Sequence, residues 1–166
     1  MAEAALYRIL GIDPGLANTG WGVIEVKGQK RRALAYGCVS TAAGEPQPQR
    51  LKQLHDCLIE VIERYQPRAM AIESVYFGSN AKSALLTGEA RGVAILAAAN
   101  QGLEIGEYSP TQVKQVIVGA GRASKSQVQY MVKAFLKLDH EPSPDHAADA
   151  LAIAICHAQL GSHCGG

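Results

Sequence analysis

The distribution of apolar and polar residues along the chain predicts five β-strands. Residues 6–12, 20–26 and 33–40 are short apolar segments joined by brief turns, which is typical of a three-strand antiparallel meander. Residues 68–72 and 104–108 are two further strands, each preceded by a segment with helical spacing. A strand that follows a helical crossover normally runs parallel to its neighbour, so we expect the fourth strand to lie parallel to the first.

Helical spacing and helix end signals predict five helices. Small residues crowd the helix over residues 80–100, which favours close packing against its neighbours. Ser124 and Gln127 have the spacing of a capping box, and Pro144 is suited to the first turn of the last helix, which Gly161 ends. The expected helices cover about residues 51–65, 80–100, 110–118, 124–136 and 144–161.

The element order predicts an α/β fold: a five-stranded mixed sheet, with a three-strand antiparallel meander beside two parallel strands, flanked by helices. We expect a single domain over residues 1–161 and a short flexible tail over residues 162–166.

Two further expectations concern local structure. The basic segment 27–32 is expected to form the turn between strands two and three. The fourth helix presents one apolar face, which is expected to pack inward: Val128, Met131, Val132, Phe135 and Leu136.

Composition excludes several classes of protein. With 48% hydrophobic residues and a formal net charge of +1, the chain is typical of a globular domain and has no overall field that marks a nucleic-acid partner. We expect no signal peptide, no membrane partner and a cytoplasmic location. The scattered cysteines favour reduced thiols, and the pairs Cys156–His157 and His163–Cys164 lack the spacing usual for zinc.

Acidic residues stand at the ends of three apolar elements. Asp13 follows the first strand, Glu73 follows the fourth, and Asp145, His146 and Asp149 open the last helix. A charge at the end of a buried element is costly unless it is paired or bound to a cation. Converging carboxylates suit Mg²⁺ or Mn²⁺, and two such ions can activate water and stabilise the leaving oxygen in phosphodiester hydrolysis.

Each of these residues also has a structural explanation when it is taken alone. Asp13 can fix a turn within its D-P-G sequence, and Glu73 can be a surface charge at a strand end. Asp149 can pair with a lysine, and His146 can be a hydrogen-bonded core histidine. The repetition of acids at three element ends is what favours metal-dependent phosphoryl chemistry.

The segment between residues 108 and 138 is basic throughout. It holds five lysines and arginines and no acid, namely Lys114, Arg122, Lys125, Lys133 and Lys137. A stretch of one charge sign beside an acidic site is typical of a surface that binds a phosphate backbone. A solvated pair of lysine-rich helices explains the same pattern equally well.

Six motifs resemble those of RuvC, the family of bacterial Holliday-junction resolvases, in both order and spacing. They are GIDPG (11–15), TGWGVI (19–24), AIE (71–73), GEARGV (88–93), QVKQ (112–115) and AADALA (147–152). The resemblance implies a ribonuclease-H-like fold and a homodimer that nicks two opposed strands of a four-way DNA junction. It also implies Mg²⁺ as the cofactor, with Mn²⁺ as a substitute and two ions per active site, and RuvA and RuvB as partners.

The resemblance also implies roles for individual residues. Asp13, Glu73 and Asp149 match metal-binding catalytic carboxylates, and Lys114 and Lys125 match residues that contact DNA near the scissile phosphate. Tyr76 matches an aromatic residue that stacks on a junction base, which needs only a flat ring. The expected DNA-binding residues are Tyr76, Phe77, Lys114, Arg122 and Lys125.

One position departs from the pattern of many relatives, which carry aspartate three residues before the final acid. This chain has His146 there and Asp145 one residue earlier. A neutral imidazole ligates Mn²⁺ and, less readily, Mg²⁺. We expect His146 rather than Asp145 to be the ligand, because its register with Asp149 matches, and we expect weaker activity at acid pH.

Three alternatives remain at this point. A related nuclease of ribonuclease-H-like fold could act on RNA, and a junction-binding module could be catalytically inactive, although the intact acids argue against the second. An actin-like ATP-binding fold also opens with a strand, an aspartate and a glycine-rich hairpin, but the sequence shows no duplicated half. The dimer face is expected on the helix over residues 80–100.

Overall fold

The computed structural model describes residues 3–74 and 80–161. Five strands form one sheet in the order β3-β2-β1-β4-β5, with β1, β2 and β3 antiparallel and β1, β4 and β5 parallel. The predicted α/β fold with a mixed sheet is confirmed. The elements are β1 Leu6–Asp13, β2 Asn18–Lys27, β3 Lys30–Ser40, α1 Gln47–Tyr65, β4 Ala69–Glu73, α2 Ala81–Asn100, β5 Glu104–Tyr108, α3 Pro110–Val118, α4 Lys125–Phe135 and α5 Asp145–Leu160.

The turn between β2 and β3 is shorter than the sequence pattern predicted. Only Gly28 and Gln29 separate the two strands, and Gly28 has a φ of 61°, which glycine adopts without strain. The expected turn over residues 27–32 was therefore wrong. The strands extend through these charged residues because β3 is an edge strand whose side chains reach solvent, and because Arg32 pairs with Glu25 on β2 at 2.9 Å.

Helices cover both faces of the sheet. Alternate residues of a strand point to opposite faces, so Leu10 packs with α1 and α2, whereas Ile9 packs with α3, α4 and α5. In α2 the buried small residues are Ala90, Ala94, Ala97 and Ala98, so the predicted close packing is confirmed for one side of the helix. Gly88 and Gly92, which contributed to that prediction, are exposed. Among the described residues no helix is long and apolar enough to span a membrane.

The ends of the last three helices determine which residues can reach the edge of the sheet. Ser124 and Gln127 form the predicted capping box, so α4 begins at Lys125. Pro144 is the N-cap residue rather than part of the first turn, so α5 begins with Asp145. Phe135, expected on the inward face of α4, is 40% exposed because it is the last residue of that helix, where the chain turns away.

Candidate active site

The first two acids meet because β1 and β4 are parallel neighbours. Ile12 pairs with Ile72 in the register, and Asp13 and Glu73 are the next residue of each strand. Their side chains therefore leave the sheet at the same edge, as the sequence predicted. The residues that precede them, 9–12 on β1 and 69–72 on β4, are buried, so the two carboxylates stand at the boundary between the core and the solvent.

Helix α5 brings the remaining acidic residues to this edge because it contacts the sheet backbone directly. A Cβ atom added to Gly11 would lie 2.0 Å from the carbonyl oxygen of Ala150, and one added to Gly20 would lie 1.9 Å from that of His146. Only glycine permits this separation. The close approach fixes the height of the α5 N-terminal turns above the ends of the strands.

The α5 side chains divide into two groups. His146 Nδ1 lies 3.1 Å from Asp13 Oδ2 and so reaches the acids of the sheet. Asp149 and Asp145 both face Lys125, at 3.5 Å and 3.7 Å from its Nζ atom. The Asp145 side chain is 68% exposed, however, and accepts a hydrogen bond from Gln129 instead of approaching the strand ends.

The electrostatics of the site reflect crowded carboxylates. Burial raises the pKa of Glu73 to about 8, and the negative charge of Asp13 and a hydrogen bond shared with that residue add to the effect. Burial and Asp13 also raise the pKa of Asp149, although Lys125 opposes this. Burial lowers the pKa of Lys125, but the charges of Asp149 and Asp145 outweigh burial and hold it above its ordinary value.

A cavity of about 250 Å³ adjoins the carboxylates. Its polar lining consists of Glu73, Asp149, Lys114 and Lys125, and apolar residues of α3, α4 and α5 form the rest. We refer to this cavity together with Asp13 and His146 as the acidic cleft. Carboxylate oxygens beside two lysines are groups that can hold a hard divalent cation and a phosphate.

As placed, no three histidine, cysteine, aspartate or glutamate side chains within the described ranges form a ready-made metal site. His146 contacts the carboxylate of Asp13, and Lys125 pairs with the carboxylate of Asp149. The types of donor nevertheless fit Mg²⁺ or Mn²⁺. Burial and the negative charge of Asp13 raise the pKa of Glu73, and a divalent cation would offset both effects.

The structure brings most, but not all, of the predicted site residues together. Asp13, Glu73, His146 and Asp149 meet, and Lys114 and Lys125 line the same cleft. Arg122 is exposed in the connection between α3 and α4 and is not part of the cleft lining. Tyr76 and Phe77 lie outside the described residues.

Sequence reasoning missed two features of the site. Gln129 of α4 donates a hydrogen bond to Asp145, and nothing in its sequence context indicates this contact. The close approach of α5 did have a signal, since Gly11, Gly20 and Gly22 are glycines inside strands, where they commonly mark a backbone contact.

The cysteine and histidine pair near the C-terminal end of α5 belongs to the core. His157 Nδ1 lies 2.6 Å from the hydroxyl oxygen of Tyr108. Cys156 is fully buried, and burial raises the pKa of its thiol to about 12. A thiol held in the protonated form is a poor zinc ligand. The other pair considered from the sequence, His163 and Cys164, lies outside the described residues.

Comparisons with known proteins give a consistent result. The model of the family described as Crossover junction endodeoxyribonuclease RuvC matches residues 9–157. A curated protein of that name from Desulforamulus reducens is 51% identical over 158 residues, which are 95% of this chain and 97% of the relative. Another, from Chloroflexus aggregans, is 54% identical over 151 residues, which are 91% and 92% of the two chains.

A solved structure agrees with the sequence matches. The structure of T. thermophilus RuvC in complex with Holliday junction substrate superposes with a TM-score of 0.90 at 39% identity, over 95% of this chain and 96% of that one. The strand order, the acids at the edge of the sheet and these extended matches have one explanation: the chain belongs to the RuvC family of crossover junction endodeoxyribonucleases.

Proposed function

We propose that this protein resolves four-way (Holliday) DNA junctions by hydrolysing phosphodiesters in two opposed strands, in recombination and DNA repair. The observation that carries the proposal is the acidic cleft, in which carboxylates from β1, β4 and α5 stand beside two lysines. The relative whose solved structure contains Holliday junction substrate supports the choice of DNA substrate. Because the substrate is chromosomal DNA, we expect the enzyme to work in the bacterial cytoplasm.

The proposed cofactor is Mg²⁺, with Mn²⁺ as a substitute and two ions per active site. Asp13, Glu73 and Asp149 would hold the ions, with His146 as a further ligand. When bound, such ions lower the pKa of water and stabilise charge on the leaving oxygen. The proton on Glu73 must leave before its carboxylate can bind a cation, so the raised pKa of this residue couples metal binding to pH.

The lysines of the cleft act on the substrate rather than on the fold. Lys114 and Lys125 reach the cavity from α3 and α4 and can each pair with a phosphate oxygen. Lys125 also pairs with Asp149, so this lysine can exchange a carboxylate partner for a phosphate when DNA enters. Arg122 is proposed to contact the backbone farther from the reacting bond, and Tyr76 and Phe77 to stack on bases.

A homodimer would supply two clefts for two symmetric cuts. The proposed dimer face is the outer side of α2, where Leu85 and Leu96 are 64% and 55% exposed. Gly88 and Gly92 lie between them on the same side of the helix, and a Cβ atom added to either meets no atom of the described residues within 4 Å. This apolar surface suits a second copy, and RuvA and RuvB are proposed as further partners.

Two other functions are less well supported. A nuclease acting on RNA needs the same acids, but the relatives carry the name of a DNA enzyme. An inactive junction-binding module has no need for carboxylates so close together that burial and repulsion hold the pKa of Glu73 near 8.

The test is cleavage of a synthetic four-way junction, with a linear duplex as control substrate, in Mg²⁺ and in Mn²⁺. We expect paired symmetric nicks in the junction only, and loss of cleavage with retained binding for Asp13→Asn. Glu60→Gln, which removes an exposed charge on α1, should cleave like the unmodified protein. Junction binding without cleavage in either metal would favour the inactive module, and cleavage of RNA alone would favour the RNA nuclease.

A further inference from the structure

A second cavity, rich in cationic side chains, lies at the opposite end of the sheet from the acidic cleft. Its volume is about 410 Å³, and it opens between the β2–β3 hairpin and the end of α4. Strand β1 starts at this cavity with Leu6 and ends at the cleft with Asp13, so seven strand steps put roughly 23 Å between them. We call it the basal cavity, and its cationic lining is Lys27, Lys30, Arg31, Arg32 and Lys137.

Part of this positive charge is neutralised within the protein. Glu25 is buried in the cavity lining and pairs with Arg32 at 2.9 Å and with Arg8 at 3.2 Å. Lys27 pairs with Glu3 at 3.3 Å, but both of those side chains are exposed, which makes the pair weak. Arg32 is therefore largely compensated, and Lys27 only in part.

The other three cations have no acidic partner among the described residues. The guanidinium of Arg31 donates to the carbonyl oxygen of Gln29 at 3.0 Å and to the side-chain oxygen of Gln159 at 3.2 Å, both of them neutral groups. Its Nε atom is buried and makes no hydrogen bond within the described ranges. Lys30 and Lys137 form no ion pair with any acid in those ranges. The cavity thus keeps about three uncompensated charges, which attract an anionic partner.

The backbone conformation of Lys137 independently indicates a role for its side chain. Lys137 follows the end of α4 with a φ of 52°, and the amide of Leu138 donates to the carbonyl oxygen of Lys133 at 3.0 Å. Glycine is the residue that adopts this helix-ending conformation without strain, whereas residues with a Cβ atom are strained in it. Local backbone stability therefore disfavours lysine here, and what lysine adds is a cation in the cavity lining.

The cavity also has an apolar part. Leu6 is 59% exposed and Phe135, at the end of α4, is exposed as well, and both belong to the lining. A nucleic-acid backbone has phosphates at regular intervals and uses an extended basic track rather than an apolar surface. A peptide that carries both carboxylates and an apolar side chain matches cations and apolar surface together.

We propose that the basal cavity binds an acidic peptide segment of a partner protein. Carboxylates of the segment pair with Lys30, Arg31 and Lys137, and one of its apolar side chains packs on Phe135. The site is distinct from the acidic cleft, and its occupation does not depend on whether the protein cleaves junctions. Because the pairs are at the surface, binding weakens as ionic strength rises.

Fluorescence anisotropy with a labelled peptide of four aspartates followed by leucine and phenylalanine tests the proposal. Lys30→Glu and Lys137→Glu should each weaken binding about tenfold, since a like charge replaces a partner. Phe135→Ser should weaken binding at all salt concentrations. Lys52→Glu on α1 is the matched control, because it reverses an exposed lysine outside the cavity, and should have no effect.

Lys137→Gly separates binding from folding. This substitution removes the cation and relieves the backbone, so it should weaken peptide binding while raising the melting temperature by about 2–4 °C. Equal binding of a peptide without the leucine and phenylalanine, or equal loss of binding in Lys52→Glu, would overturn the proposal. So would a loss of duplex DNA binding in Lys30→Glu with peptide binding unchanged, which would identify the cavity as a phosphate-backbone site.

Discussion

His146 Nδ1 lies 3.1 Å from Asp13 Oδ2, across 133 positions of sequence, whereas the adjacent Asp145 makes no contact with the sheet acids. One residue along a helix rotates the side chain by about 100°. That rotation decides which of two neighbouring candidates can act with the strand carboxylates. The contact supports His146 as the ligand, in the register that Asp149 shares.

This contact leads to a first prediction for α5. His146→Ala should lower junction cleavage by about 10–100-fold, the loss typical when a group that supports a metal site is removed. His146→Asp should retain activity because it supplies an oxygen ligand in the same register. Asp145→Asn should change the rate little. An equal loss of cleavage in Asp145→Asn and His146→Ala would contradict the assignment of the ligand role to His146 rather than Asp145.

The raised pKa of Glu73 predicts how stability depends on pH without divalent ions. The folded protein keeps the proton up to a pKa of about 8, whereas the unfolded chain loses it near the ordinary value of 4.5. The stabilising contribution is therefore fully present below about pH 4.5 and is lost as pH rises toward 8.

Thermal denaturation in EDTA between pH 5 and pH 8.5 measures this effect. The melting temperature of Glu73→Gln should fall less with rising pH than that of the unmodified protein, since the glutamine has no proton to lose. Glu60→Gln should follow the unmodified protein. Identical slopes in all three proteins would mean that Glu73 is not held in its protonated form.

Lys125 should contribute to DNA binding through a phosphate contact. Lys125→Ala is expected to weaken junction binding and to reduce the slope of log affinity against log salt concentration by about 0.9, the amount for one phosphate contact on duplex DNA. Binding titrations at several salt concentrations measure the slope. Lys52→Ala is the control, and an unchanged slope in Lys125→Ala would remove this lysine from the interface.

The contact between α5 and the sheet predicts a large stability effect from one methyl group. Gly11→Ala forces a Cβ atom against the backbone of Ala150 and should cost about 3 kcal/mol of unfolding free energy. Gly44→Ala, where an added Cβ meets no atom of the described residues within 4 Å, should stay within about 0.5 kcal/mol. Urea unfolding compares the two, and equal midpoints would contradict the contact.

The proposed dimer face on α2 can be tested by introducing charge. Leu85→Lys and Leu96→Lys should convert a dimer into a folded monomer, because both side chains are exposed in the single chain. Light scattering after size-exclusion chromatography gives the mass, and circular dichroism reports folding. Leu160→Lys, at the end of α5, should leave the mass unchanged. A dimer that persists in both α2 variants would mean that another surface joins the subunits.

The sequence predicted the fold and the meeting of Asp13 with Glu73 because both depend on local patterns. Apolar segments define the strands, and a helical crossover sets their parallel direction. The exposure of Phe135 and the extension of β3 through Arg32 were not predicted, since each depends on the end of an element or on the edge position of a strand. The spacing of apolar residues does not show where a helix ends or which strand lies at the edge of the sheet.

The glycines beneath α5 make the two faces of the sheet unequal in their tolerance of sequence change. On the side of α1 and α2, layers of side chains separate the helices from the strands, so altered packing can shift a helix without moving any acid of the cleft. Beneath α5, backbone rests on backbone at Gly11 and Gly20, and no side-chain layer can absorb a shift. Sequence drift can therefore accumulate in one half of the core while the spacing of the acids stays constant.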